Sequence, residues 1–140
     1  MTNHMTTNGT HEIVSFITED EIQAAGETTI RCKFVLLRTS EVSVLVFGPV
    51  FRYPYHANIL QAICTPRGIL TRWERLPDSL EILDSDVVVQ GGGYLAWNPF
   101  SRQAHFGGSS KAYGLFDPGQ LRSIIAADRF FQLHTVTIED

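Results

Sequence analysis

The sequence predicts an α+β (mixed α/β) chain in which a single mixed β-sheet is flanked by two α-helices. Three observations carry that reading. Apolar stretches rich in Val, Ile, Phe and Thr recur at strand length along the chain. Two further stretches place apolar residues at helical spacing behind a proline in the first turn. The resulting order, strands, helix, strands, helix, strand, is not the regular alternation of a doubly wound fold. With 140 residues, 44% of them hydrophobic and 19% charged, the chain can bury one domain's core. No internal repeat is visible.

Residues 1–11 are mostly Thr, Asn, His and Gly and read as a flexible N-terminal tail, leaving 12–140 as a single domain. Glu12–Ile17 alternates as a short strand, and Thr18–Glu21 reads as a turn or a one-turn helix start that Gly26 ends. Thr29–Thr39 and Val42–Phe47 form a hairpin across Ser40-Glu41, with Gly48-Pro49 as its stop. Tyr53–Thr65 reads as a helix, with Pro54 in the first turn and Ile59, Leu60 and Ile63 on its apolar face. In Ile69–Gln90, Ile69, Leu70 and Trp73 suggest an extended piece, Pro77-Asp78-Ser79 a turn, and Asp86–Val89 a strand. Gly91-Gly92-Gly93 marks a bend or a close backbone approach. Tyr94–Trp97 and Gln103–Phe106 pair as a hairpin. Asp117-Pro118-Gly119-Gln120 opens the second helix, with Asp as cap and Pro at the first helical position. Leu133–Ile138 closes the chain as a strand.

Charge narrows the function. Eleven Lys and Arg against 15 Asp and Glu give a net charge of −4, which argues against nucleic acid held by a basic surface. Only Lys33 and Lys111 are lysines. No run approaches the roughly 20 apolar residues of a membrane span, so no membrane partner is expected. The first residues lack a basic region followed by an apolar run, so a signal peptide is not expected and the cytoplasm is the expected compartment. Cys32 and Cys64 suit buried thiols in a reduced compartment better than a disulfide scaffold.

Five histidines are candidates for chemistry, and position separates them. His4 and His11 lie in or beside the tail, His134 in the last strand and His105 in an earlier one, where structural roles dominate. His56 falls in the first turn of a helix. The positive end of the helix dipole disfavours imidazolium there, so a neutral imidazole is easier to keep at neutral pH. Gly107-Gly108-Ser109-Ser110-Lys111-Ala112-Tyr113-Gly114 is a small-residue loop whose backbone N–H groups can converge on an anion. It is not a nucleotide phosphate loop, because Ala112 follows Lys111 where Ser or Thr is required. No His pair or Cys pair has metal-ligand spacing, and no Gly-x-Ser-x-Gly turn is present.

Taken together, Lys33–Arg38, Tyr55-His56-Ala57-Asn58-Ile59, Gly91-Gly92-Gly93, and His105 through Ser110-Lys111-Ala112-Tyr113-Gly114 resemble the Janus/Ocnus family, whose best-known members are the small protein phosphohistidine phosphatases. The similarity runs from about Lys33 onward. It implies a Janus/phosphohistidine-phosphatase-like fold and a phosphatase that needs no metal or other cofactor. His56 matches the family's catalytic histidine and Lys33 a phosphate-binding base. Ser110, Lys111 and Ala112 match the loop that holds the phosphate through backbone and hydroxyl groups. The expected partner is a phosphorylated protein or a small anionic substrate.

The chain departs from the family in four places. Tyr94 stands where the family has Arg after its three glycines, and the position of a further family Arg falls near Gly48. Lys111 takes a position that is uncharged in the phosphatases, and the stretch from His56 to Gly91 is longer. Arg52 and Lys111 are the candidates to restore the missing charge, and Tyr94 joins them as a candidate substrate contact. Two alternatives stand beside the phosphatase reading. One is a divergent enzyme for another small anionic or polar substrate; the other is a non-catalytic anion-binding or regulatory module.

Overall fold

The computed structural model describes residues 4–7 and 9–139. Ile30–Arg38 and Ser43–Pro49 pair as an antiparallel hairpin with Phe34 opposite Phe47. These are β3 and β4, preceded by β1 (His4–Thr7) and β2 (His11–Ser15). Along β3 and β4, alternate residues turn to opposite sides and both sides are apolar, so these strands are covered on both faces. β2 runs parallel to β4, with Ile13 beside Leu45. On the other flank, β7 (Val88–Asn98) is antiparallel to β3 and to β8 (Gln103–Gly107). β9 (Thr135–Ile138) is parallel to β8. The result is a mixed seven-stranded sheet in the order β1-β2-β4-β3-β7-β8-β9.

One face of the sheet, carrying Phe34, Leu36, Leu45, Phe47 and Phe106, packs against α3 (Pro118–Ala127) through Leu121 and Ile124. Ile22 of α1 (Glu19–Ala25) leans on the same core. The other face, with Val35, Leu37, Val44 and Val46, is covered by α2 (His56–Cys64) through Ala57, Ile59, Leu60 and Ile63. β5 (Thr71–Arg75) and β6 (Ser79–Ile82) form a separate two-stranded hairpin whose Leu80 joins that second core. The helices are thus divided between the faces, an α+β arrangement. No helix among the described residues is long and apolar enough to cross a membrane.

The structure differs from the sequence reading in four places. α1 is a third helix, where only a turn or one-turn start was expected. The Thr18 hydroxyl accepts from the Glu21 N–H at 3.1 Å while the Glu21 carboxylate accepts from the Thr18 N–H at 2.8 Å, a closed capping box that sustains seven residues. The expected tail contributes β1, which pairs with β2; Met1–Asn3 and Asn8 lie outside the described residues. The expected strands Asp86–Val89 and Tyr94–Trp97 merge into one strand that bulges where the pairing passes from Val35–Gly92 to Leu37–Val89, so Gly91 marks a kink while Gly92 and Gly93 mark a close backbone approach. The helix expected from Tyr53 begins at His56. The Arg52 and Tyr53 N–H groups both donate to the Pro49 carbonyl in a turn, and the Tyr55 N–H donates to Asn58 Oδ1 at 2.9 Å. Pro54 therefore precedes the helix, and His56 becomes its first residue.

Cys32 and Cys64 are free thiols, 1% and 0% exposed, in the cores on opposite faces of the sheet. Burial pushes both thiols up, Cys64 to about 11, so neither is a ready thiolate.

Candidate functional site

The α2-covered face of the sheet carries the site, and its floor is the β3–β7 pairing. Lys33 lies opposite Tyr94, and Val35 opposite Gly92. Glycine is required at all three consecutive positions, since a Cβ on Gly93 would itself stand 2.4 Å from the Gly107 carbonyl oxygen. Gly91 has φ of 100°, and a Cβ there would stand 2.2 Å from the Leu115 carbonyl oxygen. A Cβ on Gly92 would meet the Phe34 carbonyl oxygen at 2.6 Å, His56 Cδ2 at 3.0 Å and Ser110 Cβ at 3.3 Å. The bare backbone of Gly92 is what lets the imidazole and the Ser110 loop share one spot on the sheet.

His56 is 6% exposed. Its Nε2–H donates to the Gly93 carbonyl at 2.9 Å, which fixes the neutral tautomer with the lone pair on Nδ1. Nδ1 bonds to no described residue, yet it is not among the sealed polar atoms, so it is the open nitrogen of the ring. Burial holds the imidazole below its ordinary pKa. The Gly93 carbonyl opposes that shift and the Lys33 ammonium adds to it. The N-terminus of α2 acts in the same direction.

Lys33 rises from β3 beside the ring. Its ammonium donates to the Pro54 carbonyl and lies 5.7 Å from the Tyr55 ring centroid and 5.6 Å from that of Tyr94. Burial lowers its pKa. Tyr94 also meets His56 edge-on, with ring centroids 5.7 Å apart. Where the family resemblance expects an arginine, an aromatic ring forms a wall.

The loop after β8 closes the site. Ser110 and Gly114 exchange backbone hydrogen bonds at 3.0 and 2.8 Å, and the Tyr113 N–H donates to Ser110 Oγ at 3.1 Å. These bonds fold the loop tightly and leave the Lys111 and Ala112 N–H groups without an acceptor among the described residues. Two adjacent unengaged amides beside a lysine suit an oxyanion.

His56, Lys33, Tyr94, Lys111 and Ala112 line a single pocket of about 210 Å³, together with Tyr55 and Asp78. Of the residues named from sequence, two stand outside that lining. Ser110 is 3% exposed and lies beneath, against Gly92 and beside the imidazole. Arg52 borders a neighbouring hollow of about 750 Å³ and is engaged elsewhere. Its Nε and one terminal nitrogen donate to the two Glu21 carboxylate oxygens at 2.8 and 2.9 Å, and it also donates to the Phe16 carbonyl. This forked pair with α1 holds the guanidinium away from the His56 pocket.

The pocket contains one charged group that sequence reasoning did not name. Asp78 enters it from the turn between β5 and β6. Its carboxyl lies below its ordinary pKa, chiefly through the hydrogen bond from Arg75, with Lys111 contributing. No local signal marks Asp78, since an Asp after Pro in a turn is ordinary turn chemistry. Among the described residues, no group of three His, Cys, Asp or Glu side chains could hold a metal ion. In comparisons with known proteins, no family model and no curated protein matches the chain.

Proposed function

We propose that the chain is a phosphohistidine-phosphatase-like hydrolase of Janus/Ocnus type, acting on phosphohistidine or a related phosphoryl group through His56. The observation that carries this reading is the open Nδ1 of a neutral, Gly93-anchored imidazole in a pocket lined also by Lys33, Lys111 and Ala112. In-line phosphoryl transfer asks mainly for positioning and for donors around the transferring oxygens. Lys33, Lys111 and the loop amides supply those donors, and His56 supplies the lone pair.

Two courses use the same lone pair. Either Nδ1 attacks phosphorus, the bond to the leaving nitrogen or oxygen breaks with its electron pair, and water then hydrolyses the phospho-imidazole to phosphate. Or Nδ1 takes a proton from the water that attacks phosphorus directly. The neutral ring required by both is favoured by burial and by Lys33.

The test is phosphate release from a phosphohistidine peptide and from an aryl phosphate, without added metal. The expected result is turnover in the wild-type chain and its loss in His56→Ala, with folding retained. Equal rates in both proteins exclude His56. Base-stable, acid-labile phosphate trapped on the chain marks the first course, and its absence during turnover marks the second.

A second reading keeps the pocket and changes the substrate to another small anionic or polar molecule. It is favoured by the pairing of Arg52 with Glu21 and by the Tyr94 wall, which leave the pocket less cationic than the resemblance implies. Absence of turnover in both proteins, with phosphate still bound, would support a binding module.

A further inference from the structure

The β5–β6 hairpin falls within the His56–Gly91 stretch that is longer than the resemblance implies, and its attachment to the rest of the molecule is specific. The Tyr113 hydroxyl donates to the Leu80 carbonyl at 3.0 Å and accepts from the Leu80 N–H at 2.9 Å. Tyr113 belongs to the loop that carries Lys111 and Ala112, so the hairpin is bolted to the anion loop two residues from Asp78. Within the turn, Arg75 Nε donates to Asp78 Oδ1 at 2.9 Å and Ser79 Oγ donates to Glu74 at 2.8 Å. Asp78 is therefore held where it lines the same pocket as Lys33, His56 and Lys111.

A carboxylate in an anion pocket repels a bare anion. It becomes useful when the ligand carries a cation as well. An ionised carboxylate offers about four acceptor positions; Arg75 takes one at short range and approaches a second only at 3.5 Å. The remaining positions can receive an ammonium.

Resting on the anion-site reading above, we propose that Asp78 makes the pocket selective for zwitterionic substrates, in which a protonated amine lies within a few bonds of the phosphoryl or similar anionic group. The anion sits with His56, Lys33, Lys111 and the loop amides, and the amine meets Asp78. Tyr55 and Tyr94 line the same pocket, with their rings against the Lys33 ammonium on the anion side.

Calorimetric binding of 2-aminoethyl phosphate, 2-hydroxyethyl phosphate and inorganic phosphate to the full chain tests this. The wild-type chain should prefer the amino ester over the hydroxy ester by about tenfold. Asp78→Asn should erase that preference while strengthening inorganic phosphate. Arg72→Ala removes an exposed ion pair of the same hairpin while leaving Asp78 and its Arg75 partner in place, and should keep the preference, which separates the charge of Asp78 from the integrity of the hairpin. Equal affinity for the two esters in wild type overturns the proposal. So does a preference that survives Asp78→Asn, or one lost equally in Arg72→Ala. If none of the three anions binds the wild-type chain, the anion-site reading fails first and takes this proposal with it.

Discussion

His56 differs from the other histidines in what its two ring nitrogens meet. His105 Nε2 lies 3.1 Å from the exposed Glu139 carboxylate, and His134 Nε2 accepts from Trp97 Nε1. His56 spends one nitrogen on a backbone carbonyl and leaves the other open over a pocket. Its depressed pKa gives activity a predictable pH dependence. On the proposed hydrolase reading the active form is the neutral ring, so as pH falls activity should persist below about 6.5, the ordinary value, and be lost only through the lower folded-state pKa. Lys33 is one source of that depression. Lys33→Met should therefore move the acid limb of the kcat/KM profile upward, toward 6.5, while lowering kcat/KM overall. A limb that moves down would mean that Lys33 does not act on the imidazole. Part of the pocket lining is legible in local sequence and part is not, for a physical reason. The environment of His56 at a helix start, a Lys on a strand and a small-residue loop are local features. The capture of Arg52 by Glu21, 31 positions away, and the arrival of Asp78 from the β5–β6 turn are long-range events that local sequence does not encode.

The elements that carry the site were legible to different degrees. β3, β4, β8 and α3 follow from apolar pattern and caps, and Asp117 Oδ1 does accept from the Gly119 N–H at 2.9 Å. α1 was not legible as a helix because it buries none of its residues fully and so shows no apolar stripe; its capping box and acidic first turn sustain it instead. The three glycines allowed two readings, and both hold: the β3–β7 register bulges at Gln90-Gly91, while Gly92 and Gly93 are points of close approach. That approach predicts a cost. Gly92→Ala would place a methyl group 2.6 Å from a backbone oxygen of β3 and 3.0 Å from His56 Cδ2. The strand pair cannot yield as a flexible side chain does, so a stability loss of about 1–3 kcal/mol is expected. Denaturant unfolding would register it, and the His56 ring signals should shift because the imidazole must move. Wild-type stability with unshifted ring signals would mean that the glycine is not the contact point of strand, helix and loop.

At the scale of the molecule, the sheet separates structure from chemistry. Phe34 points into the aromatic core of the far face, with ring centroids 5.3 Å from Phe106 and 5.1 Å from Phe116, while its neighbour Lys33 reaches the pocket on the near face. Alternation along one strand thus ties the position of a charged side chain to a packed core that resists displacement. α2, the β5–β6 hairpin and the loop after β8 converge on that near face, each held by its own contact: Lys33 to Pro54, Tyr113 to Leu80, Ser110 to Gly114. The proposed chemistry therefore depends on one arrangement, a neutral His56 with Nε2–H bound to Gly93 and Nδ1 unpartnered at the pocket. The most direct measurement is a two-dimensional proton–nitrogen NMR titration of the full chain's imidazoles, free and with inorganic phosphate. The account predicts an Nε2–H tautomer for His56, a free-state pKa below about 6.5, and a rise in that pKa when phosphate binds beside the ring. An Nδ1–H tautomer, a pKa above the ordinary value in the free chain, or His56 signals that do not respond to phosphate would contradict it.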